Sequence, residues 1–505
     1  MSPDDVVVEP IDPFELEEWN VVSFTDPRDQ SVYDIIDGRV LIAFKNPPQL
    51  PQVDPNYFDV QRPPNDPYYA QPYPLLIGDP AVDAFIAAES LTVFSEWPAI
   101  KCMAVLLPPG QTVADAVANW PSEYPDLIEA VDPDALGGNC TDPNNPPNDD
   151  LFNDIWAEND QWAICENGGS PFHIRAQAAW RQPGGYGRLE VVVAVVDTGV
   201  DTEVLDLQYN STPWGCWVGE NLKQATVFSP RANGGGAPHR IDENRSEDNA
   251  REIGHGTCVA GIISARMDND GNHVYSDGDD TAGIAYRNWY FPLAMKFKMG
   301  YATSTQVNAF YAVACVKGFY NPNVYGPGAN VPSYNIEVMN CSFYMKGNST
   351  AQRIVNDVGK YIVVVGAAGN NGSATNSDFP ASHPRVMSVA AYDYIGHRSV
   401  WGDDSSNYAP DTDICAPGSD IVTCDMLGFN DYGKKLGYNV GQVNYYFKGT
   451  SAAAPHVAAV AALVISRWPS LTPTAAIQKI TGSEVYDLSP PLRNYGRLNA
   501  GGAME

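Results

Sequence analysis

The stretch LEVVVAVVDTG, residues 189–199, decides the fold. It runs from Val191 to Val196 without a polar residue. Such a short continuous apolar run predicts a β-strand buried on both faces, because a strand with one solvated face alternates between apolar and polar residues. Strands of this kind belong to parallel sheets that are covered by helices. Asp197 then falls at the carboxyl end of the strand, the edge where such sheets carry their chemistry.

Two further segments, YNIEVMNCSF (334–343) and KYIVVVGAAGN (360–370), repeat this pattern. Helices are predicted between and after these strands, at about 305–318, 349–359, 451–467 and 472–481. Alternation of buried strands with helices predicts an α/β fold of three layers, with a mostly parallel sheet between helices. Asn370 joins Asp197 at the carboxyl edge of the sheet.

The first part of the chain has a different pattern, which predicts a small α+β domain over residues 1–136. Its elements follow the βαββαβ order of a ferredoxin-like domain: strand 38–45, helix 80–89, strands 91–97 and 101–109, helix 111–120 and strand 127–133. A Pro-rich insertion, 46–80, cannot continue a helix or a central strand. Residues 137–150, GGNCTDPNNPPNDD, are predicted to be a linker, and 151–505 the second domain.

The charge of the chain limits its partners. The formal net charge is −31, so nucleic acid and anionic membranes are repelled and are not expected as partners, whereas cations and basic peptides are favoured. Solubility or a salty habitat is the alternative explanation of this acidity. No segment approaches the roughly 20 uninterrupted apolar residues of a membrane helix. The opening residues, MSPDDVVVEP, carry acids where a secretory signal carries basic residues.

The nine cysteines are spread along the chain without a CxxC pair, which argues against a zinc or redox motif. An odd number leaves at least one thiol outside any disulfide of a monomer. Cys415 and Cys424 are the closest pair in the sequence, and we expect any disulfide there first.

A histidine surrounded by small residues stands in IGHGTCVAG, residues 253–261. Gly254 and Gly256 clear space around His255, as a general base needs when it must reach both an acid and a nucleophile. A structural histidine at a helix start is the alternative. Asp197 has two corresponding interpretations, as the cap of a following helix or as the carboxylate that holds one tautomer of a histidine.

A serine opens the small-residue helix KGTSAAAPHVAAVAALVI, residues 448–465. Ser451 can cap this buried helix, or it can act as a nucleophile beside backbone N–H groups that donate to an oxyanion. Pro455 falls within the first turns of the helix, where we expect a missing N–H to be tolerated.

Taken together, DTG around Asp197, HGT around His255 and GTSxxxP around Ser451, in this order, resemble the subtilisin-like serine proteases, the subtilases. The resemblance covers about 150–505. It implies Ser451 as nucleophile, His255 as general base and then acid, and Asp197 as the orienting carboxylate. Asn370 in AAGNNG matches the oxyanion-hole asparagine of the family, and the spacing favours it over Asn371.

The resemblance also implies a protein or peptide substrate, a serine endopeptidase activity through an acyl-enzyme, and no cofactor for the chemistry. The α+β region resembles the subtilase propeptide, an intramolecular inhibitor that is cut away, here within 134–150. We expect a monomer that is secreted or held in the cell envelope. A cytoplasmic location is the alternative, because no signal peptide is visible.

Two features of the resemblance concern particular residues. The substrate-binding strand of the family has Ser, a large apolar residue and Gly, where this chain has Ser342, Phe343 and Tyr344, so we expect a bulky ring to narrow or reshape the pocket. The segment 267–280 alternates the oxygen-bearing side chains Asp268, Asp270 and Asn272, as ligands of a structural calcium would. A solvated acidic loop is the other interpretation of that segment.

Two alternatives to an active protease follow from the same residues. A catalytically silent subtilase fold could hold peptides without cleaving them. A dinucleotide-binding fold is disfavoured, because VVDTGVDTEV lacks the GxGxxG that receives a pyrophosphate.

Overall fold

The computed structural model describes residues 21–45, 76, 79–97, 100–139, 161–164, 170–202, 204, 207, 210–212, 214–218, 227–230, 254–265, 281–295, 301–325, 331–425 and 443–505. The amino-terminal elements are β1 (Val21–Thr25), β2 (Val32–Phe44), α1 (Pro80–Ala88), β3 (Thr92–Trp97), β4 (Cys102–Leu106), α2 (Val113–Glu123) and β5 (Ile128–Asn139).

The remaining strands are β6 (Val192–Asp197), β7 (Trp214–Val218), β8 (Val227–Pro230), β9 (Trp289–Met295), β10 (Tyr301–Ala302), β11 (Ile336–Cys341), β12 (Phe343–Tyr344), β13 (Val363–Ala367), β14 (Val386–Tyr392), β15 (Val400–Trp401), β16 (Asp404–Ser405), β17 (Ile414–Pro417), β18 (Ile421–Cys424) and β19 (Val443–Phe447). The helices are α3 (Ala176–Trp180), α4 (His255–Ser264), α5 (Thr303–Lys317), α6 (Ser349–Val358), α7 (Thr450–Arg467), α8 (Pro473–Thr481) and α9 (Ala500–Ala503). The four helices predicted after residue 300 are thereby confirmed.

The amino-terminal sheet has the strand order β5-β2-β4-β3, with every pair antiparallel. The element order βαββαβ is the predicted one, and β1 adds a hairpin to β2. One face of this sheet is covered by α1 and α2, whose Phe85 and Trp120 rings meet edge to face. Most of the predicted insertion 46–80 lies outside the described residues.

A second sheet of eight strands has the order β17-β14-β13-β11-β6-β9-β7-β8. All neighbours are parallel except the edge pair β7 and β8. The predicted α/β fold with a mostly parallel sheet is therefore confirmed. Asp197 is the last residue of β6, the central strand that the apolar run from Val191 to Val196 predicted.

Both faces of β6 are dry. Val193 and Val195 contact the layer that contains α4 and α7, while Val192, Ala194 and Val196 contact the layer that contains α5 and α6. This is why the strand has no polar position before Asp197. Helix α7 is long and apolar enough to cross a membrane, yet 94% of its apolar window is buried inside the fold.

The other face of the amino-terminal sheet lies against α5 and α6. Leu41, Ala43 and Ala104 belong to the same apolar cluster as these helices. The indole N–H of Trp97 donates to Oδ1 of Asn308 in α5 at 2.6 Å. Buried apolar surface, rather than charge, therefore forms the centre of the contact between the amino-terminal sheet and these two helices.

Two acidic side chains of β5 accept hydrogen bonds from the amino-terminal ends of these helices. Asp134 accepts hydrogen bonds from the backbone N–H and the hydroxyl of Ser304 in α5, at 2.9 and 2.6 Å. Asp132 accepts the backbone N–H of Ser349 in α6 at 3.0 Å. Carboxylates at these positions accept hydrogen bonds from N–H groups that a helix cannot satisfy itself. Their negative charge also interacts favourably with the positive end of the helix dipole.

The end of β5 leaves its own sheet and pairs with the parallel domain. Leu136 and Gly137 pair antiparallel with Ala302 and Tyr301 of β10. Gly138 and Asn139 pair antiparallel with Tyr344 and Phe343 of β12. The boundary predicted after residue 136 thus falls inside a strand, and residues 136–139 lie extended between two strands of the second domain.

The predicted disulfide between Cys415 and Cys424 is wrong. Both residues are buried thiols. Cys415 lies in β17 and pairs with Ala390 of β14, whereas the sulfur of Cys424 lies 3.0 Å from Oγ1 of Thr281. The two cysteines are close in sequence, but the turn between β17 and β18 sends them to different neighbours.

Candidate functional site

Asp197 and His255 are joined by a hydrogen bond at the carboxyl edge of the parallel sheet. Nδ1 of His255 lies 2.7 Å from Oδ1 of Asp197, and both side chains are buried. The backbone N–H of Thr198 donates to the same Oδ1 at 2.8 Å, which fixes the carboxylate at the end of β6. With Nδ1 bound to the acid, Nε2 is the ring nitrogen that can exchange a proton with another group.

Glycine allows helix α4 to approach β6 closely enough for this bond. A Cβ on Gly256 would lie 1.9 Å from the carbonyl oxygen of Gly199 and 3.0 Å from Cβ of Asp197. The N–H of Gly256 donates to Oγ1 of Thr198 at 3.0 Å. Gly254 precedes the helix with φ of +94°, a conformation that favours glycine. Gly256 therefore acts by allowing the close approach of two backbone segments, and Gly254 by its left-handed backbone conformation.

Ser451 lies near the start of α7 and is bonded reciprocally to Ser342. The Ser451 hydroxyl donates to the carbonyl oxygen of Ser342 at 3.2 Å, and the Ser342 hydroxyl donates to the carbonyl oxygen of Ser451 at 2.9 Å. That carbonyl would ordinarily accept the N–H of residue 455, but Pro455 has none. Pro455 is tolerated because Ser342 replaces its N–H, and not because the position is an unpaired one in the first turn.

Asn370 is oriented by the residue before Ser451. Its Oδ1 accepts the backbone N–H of Thr450 at 3.0 Å and the Thr450 hydroxyl at 2.9 Å. The Thr450 hydroxyl in turn accepts the N–H of Gly369 at 3.1 Å. These bonds fix the oxygen end of the amide on Thr450, which also sets the direction of its N–H₂ group. Asn371, the neighbour that could be confused with it, is exposed.

Buried side chains near Asp197, His255 and Ser451 have shifted ionisation or ring contacts. The ring of Phe447 meets the His255 ring edge to face, with centroids 5.3 Å apart. Burial raises the pKa of the Cys341 thiol well above its usual range, and Asp197 adds to the rise. Burial also lowers the pKa of His456 to about 4, so its neutral ring is held by the carbonyl oxygen of Ala452 at 2.8 Å.

The structure brings most of the predicted site residues to one edge of the sheet. Asp197 contacts His255, and Ser451 lies beside Ser342 and follows the Thr450 that holds Asn370. Helices α4 and α7 are in contact, and Phe447 of β19 reaches the His255 ring. The hydrogen bond between Oγ of Ser451 and Nε2 of His255 stays a prediction.

The two rings of the strand predicted to bind substrate differ in burial. Phe343 is fully buried in the cluster with α5 and α6, whereas Tyr344 is 42% exposed. Their backbones pair with Asn139 and Gly138, so neither ring prevents an extended peptide from lying along β12. The expectation that a ring narrows or reshapes the substrate pocket stays a prediction, because backbone pairing does not test the width of a side-chain pocket.

Other predictions and omissions concern residues around the site. The calcium ligands predicted at Asp268, Asp270 and Asn272 lie outside the described residues. Sequence reasoning missed the roles of Thr450, Phe447 and the two-residue strand β10. Thr450 stood within the quoted GTS motif and could have been noticed, but a strand as short as β10 carries no periodicity.

The fold and site define a class: a parallel α/β protein with a buried Asp–His pair and a serine at a helix start on the carboxyl edge of its sheet. A family model described as the subtilase family, peptidase S8, matches residues 189–494. The match covers more than half of the chain, and the chain belongs to the subtilase family.

Individual relatives are more distant. The thermostable alkaline protease of Halalkalibacterium halodurans is 36% identical over 173 residues, which are 34% of this chain and 43% of that protein. The extracellular protease of Xanthomonas campestris is 29% identical over 339 residues, 64% of this chain and 50% of that protein. The chain thus spans about half the length of the curated relatives it matches.

The crystal structure of fervidolysin from Fervidobacterium pennivorans, a keratinolytic enzyme related to subtilisin, supports the fold. It has a TM-score of 0.58 at 20% identity and covers 93% of this chain and 61% of that one.

The Asp197–His255 bond predicts a proton NMR signal. The Nδ1 proton of His255 should resonate far downfield, because a short bond to a buried carboxylate deshields it and protects it from exchange. The signal should disappear in Asp197→Ala and stay in Asp393→Asn, which changes an acid elsewhere in the chain. A downfield signal that survives Asp197→Ala would assign it to another histidine and contradict the geometry.

Proposed function

We propose that this protein is a serine endopeptidase that hydrolyses peptide bonds through Ser451, His255 and Asp197. The observation that carries the proposal is the buried 2.7 Å bond between His255 and Asp197, at the sheet edge where Ser451 begins a helix. Family membership and relatives that are named proteases support the same activity.

The mechanism follows from which atoms are held. Asp197 fixes the tautomer of His255 with the proton on Nδ1, so Nε2 accepts the Ser451 proton as Oγ attacks the substrate carbonyl. Asp197 also stabilises the imidazolium that forms. His255 then gives this proton to the leaving amine, and an acyl-enzyme remains. Water then attacks the carbonyl carbon of the acyl-enzyme while Nε2 of His255 takes a proton from it. His255 passes this proton to Oγ of Ser451 as the ester bond breaks, and the second product leaves as the carboxylic acid.

The developing oxyanion has two donors. The first is the N–H₂ group of Asn370, whose oxygen end Thr450 holds through two hydrogen bonds. The second is the backbone N–H of Ser451, in the first turn of α7, where helix hydrogen bonds do not use the N–H groups. Donors fixed before the reaction stabilise the charge without a cost of reorganisation. No cofactor takes part in these steps.

The substrate is an extended peptide that adds a strand between β10 and β12. The pairing of residues 136–139 with these strands supports this binding mode, since it uses backbone groups that any peptide offers. Relatives named extracellular proteases support secretion, which we propose for this chain as well. Calcium binding at 267–280 stays a prediction.

Asn370→Ala should lower kcat by about 100-fold to 1000-fold, because one preorganised donor to the oxyanion is lost. Asn371→Ala is the matched control, since it removes the same side chain from the next, exposed position. Hydrolysis of a chromogenic peptide, normalised to sites titrated with a fluorophosphonate probe, measures both. Equal losses in the two variants would contradict the assignment. Failure of the probe to label Ser451 would favour the catalytically silent alternative.

We further propose that the amino-terminal domain is an inhibitory propeptide which the protein removes from itself. Residues 136–139 occupy the strand position that a substrate needs, and Asp132 and Asp134 anchor β5 on α6 and α5. Asn139 is the last described residue of β5, and it pairs with Phe343. If a bound strand continues this antiparallel register by one residue, position 140 comes opposite Ser342, whose carbonyl accepts the Ser451 hydroxyl. The bond between Cys140 and Thr141 is therefore the one we expect to be cut.

Amino-terminal sequencing and intact mass test this register. The purified protein should begin at Thr141, and Ser451→Ala should keep the full-length chain, because the nucleophile is absent. Ser466→Ala, which removes a hydroxyl from the far end of the same helix, should be processed normally. Equal processing of the wild type and Ser451→Ala would show that another protease makes the cut.

A further inference from the structure

At the carboxyl edge of the sheet, two chain segments lead away from Ser451, and the segment that carries Asp378 bridges them at their far end. Strands β11 and β13 run side by side up to the pair Cys341 and Gly366. Beyond that pair the chain continues as two walls, residues 342–345 and 367–370. We call the space between them the side-chain pocket.

The segment Asp378–Phe379 closes the far end of the side-chain pocket by bonding to both walls. The N–H of Asp378 donates to the carbonyl oxygen of Ala368 at 2.8 Å. The carbonyl oxygen of Phe379 accepts the N–H of Met345 at 2.7 Å. Residue 378 therefore forms the floor, while Ser342 and Asn370 stand at the mouth.

The mouth of the pocket is where a substrate carbonyl would be attacked. The Ser451 hydroxyl lies 3.2 Å from the carbonyl oxygen of Ser342 on one wall, and Asn370 ends the other wall. Under the proposed function, both groups contact the carbonyl of the scissile bond. The side chain of the residue that contributes this carbonyl then has the side-chain pocket in front of it.

The carboxylate of Asp378 lies against one wall of this pocket. Its Oδ2 is 2.3 Å from the point where a Cβ on Gly369 would lie. Gly369 has φ of +107° and directly precedes Asn370, so the acid is packed on the backbone that carries the oxyanion donor. A side chain at position 369 would collide with this carboxylate and with the Asn407 amide, whose Nδ2 is 2.4 Å from the same point, so only glycine allows the acid to pack here.

Among the described residues, this carboxylate has no cationic partner. Within the described part of the chain, no Lys or Arg forms an ion pair with Asp378. Its charged neighbour is another acid, Asp411, whose carboxylate accepts the N–H of Ser377 at 3.0 Å. Burial, and then Asp411, raise the pKa of Asp378 to about 6, so above this pH it is a poorly compensated negative charge.

The carboxylate is also not needed to shape its own loop. The backbone of Asp378 makes the structural bonds, donating to Ala368 and accepting the N–H of Ser382 at 3.0 Å. A partly buried acid that lacks both a cation and a structural task points to a ligand that supplies positive charge.

We propose that Asp378 selects substrates with arginine or lysine at the residue whose carbonyl Ser451 attacks. This inference rests on the proposed serine endopeptidase function. A guanidinium or ammonium group at the floor gains a charge-assisted hydrogen bond in a place sheltered from water, whereas an apolar side chain leaves the acid uncompensated. The net charge of −31 attracts basic peptides toward the same cleft.

Self-processing after Cys140 does not conflict with this preference. That cleavage is intramolecular, and its register is set by the pairing of residues 136–139 with β10 and β12. A reaction held in place in this way does not need a matching side chain to reach a useful rate.

The test compares peptides that differ only at the residue before the scissile bond, with Arg, Lys, Leu or Phe there. The self-processed enzyme is titrated with a fluorophosphonate probe, and kcat/KM is measured at pH 8. We expect Arg and Lys to exceed Leu and Phe. Asp378→Asn should lower kcat/KM for the Arg peptide by about 100-fold and leave the Leu peptide within about threefold, because only the cation loses its partner. Asp403→Asn, which removes an exposed acid, should keep the wild-type ratios.

The outcomes separate this inference from the proposed function. Suppose the enzyme reacts with the probe but prefers Leu or Phe, or Asp378→Asn lowers the Arg and Leu activities equally. Either result would contradict the role proposed for Asp378 and leave the proposed function intact. Loss of the Arg preference in Asp403→Asn as well would assign it to the general negative field. An enzyme that neither reacts with the probe nor cleaves any peptide refutes the proposed function.

Discussion

The site depends on one interaction, the hydrogen bond between Oδ1 of Asp197 and Nδ1 of His255 at the end of the central strand. A buried carboxylate is stable only when hydrogen-bonded or paired, so β6 and α4 must hold a fixed separation. That separation exists because Gly256 allows the helix to approach the carbonyl oxygen of Gly199. Packing on both faces of β6 holds the strand in place. Asp197 at its end then orients the His255 ring through Nδ1.

The sequence predicted those features that are written locally. Runs of valine identified β6 and β13 as buried strands, and the small residues around His255 marked it as a candidate base. The sequence explained these glycines by open space around the ring, whereas the structure shows close backbone approach at Gly256. Bonds between distant segments could not be predicted, because no local pattern encodes them. Register and packing determine the hydrogen bonds from Thr450 to Asn370, the two hydrogen bonds between Ser342 and Ser451, and the exposure of Tyr344. The Cys415–Cys424 prediction failed for the same reason, since closeness in sequence does not place two side chains face to face.

The strand β5 links the two halves of the molecule physically. Its acids Asp132 and Asp134 satisfy the amino-terminal N–H groups of α6 and α5, and its last residues pair with β12 and β10. In the proposed binding mode a substrate pairs with the same backbone groups of β12 and β10, which β5 occupies in this structure. Anchoring and inhibition therefore come from one segment in the proposed zymogen, and activity requires that the segment be cut and released.

A crystal structure of the processed protein treated with a peptidyl phosphonate tests the central claim most directly. The account predicts phosphorus bonded to Oγ of Ser451, a phosphonyl oxygen held by Nδ2 of Asn370 and the N–H of Ser451, and Nε2 of His255 within hydrogen-bond distance of Oγ. A structure in which the inhibitor is bonded elsewhere, or in which His255 keeps its bond to Asp197 but lies out of reach of Ser451, would contradict it.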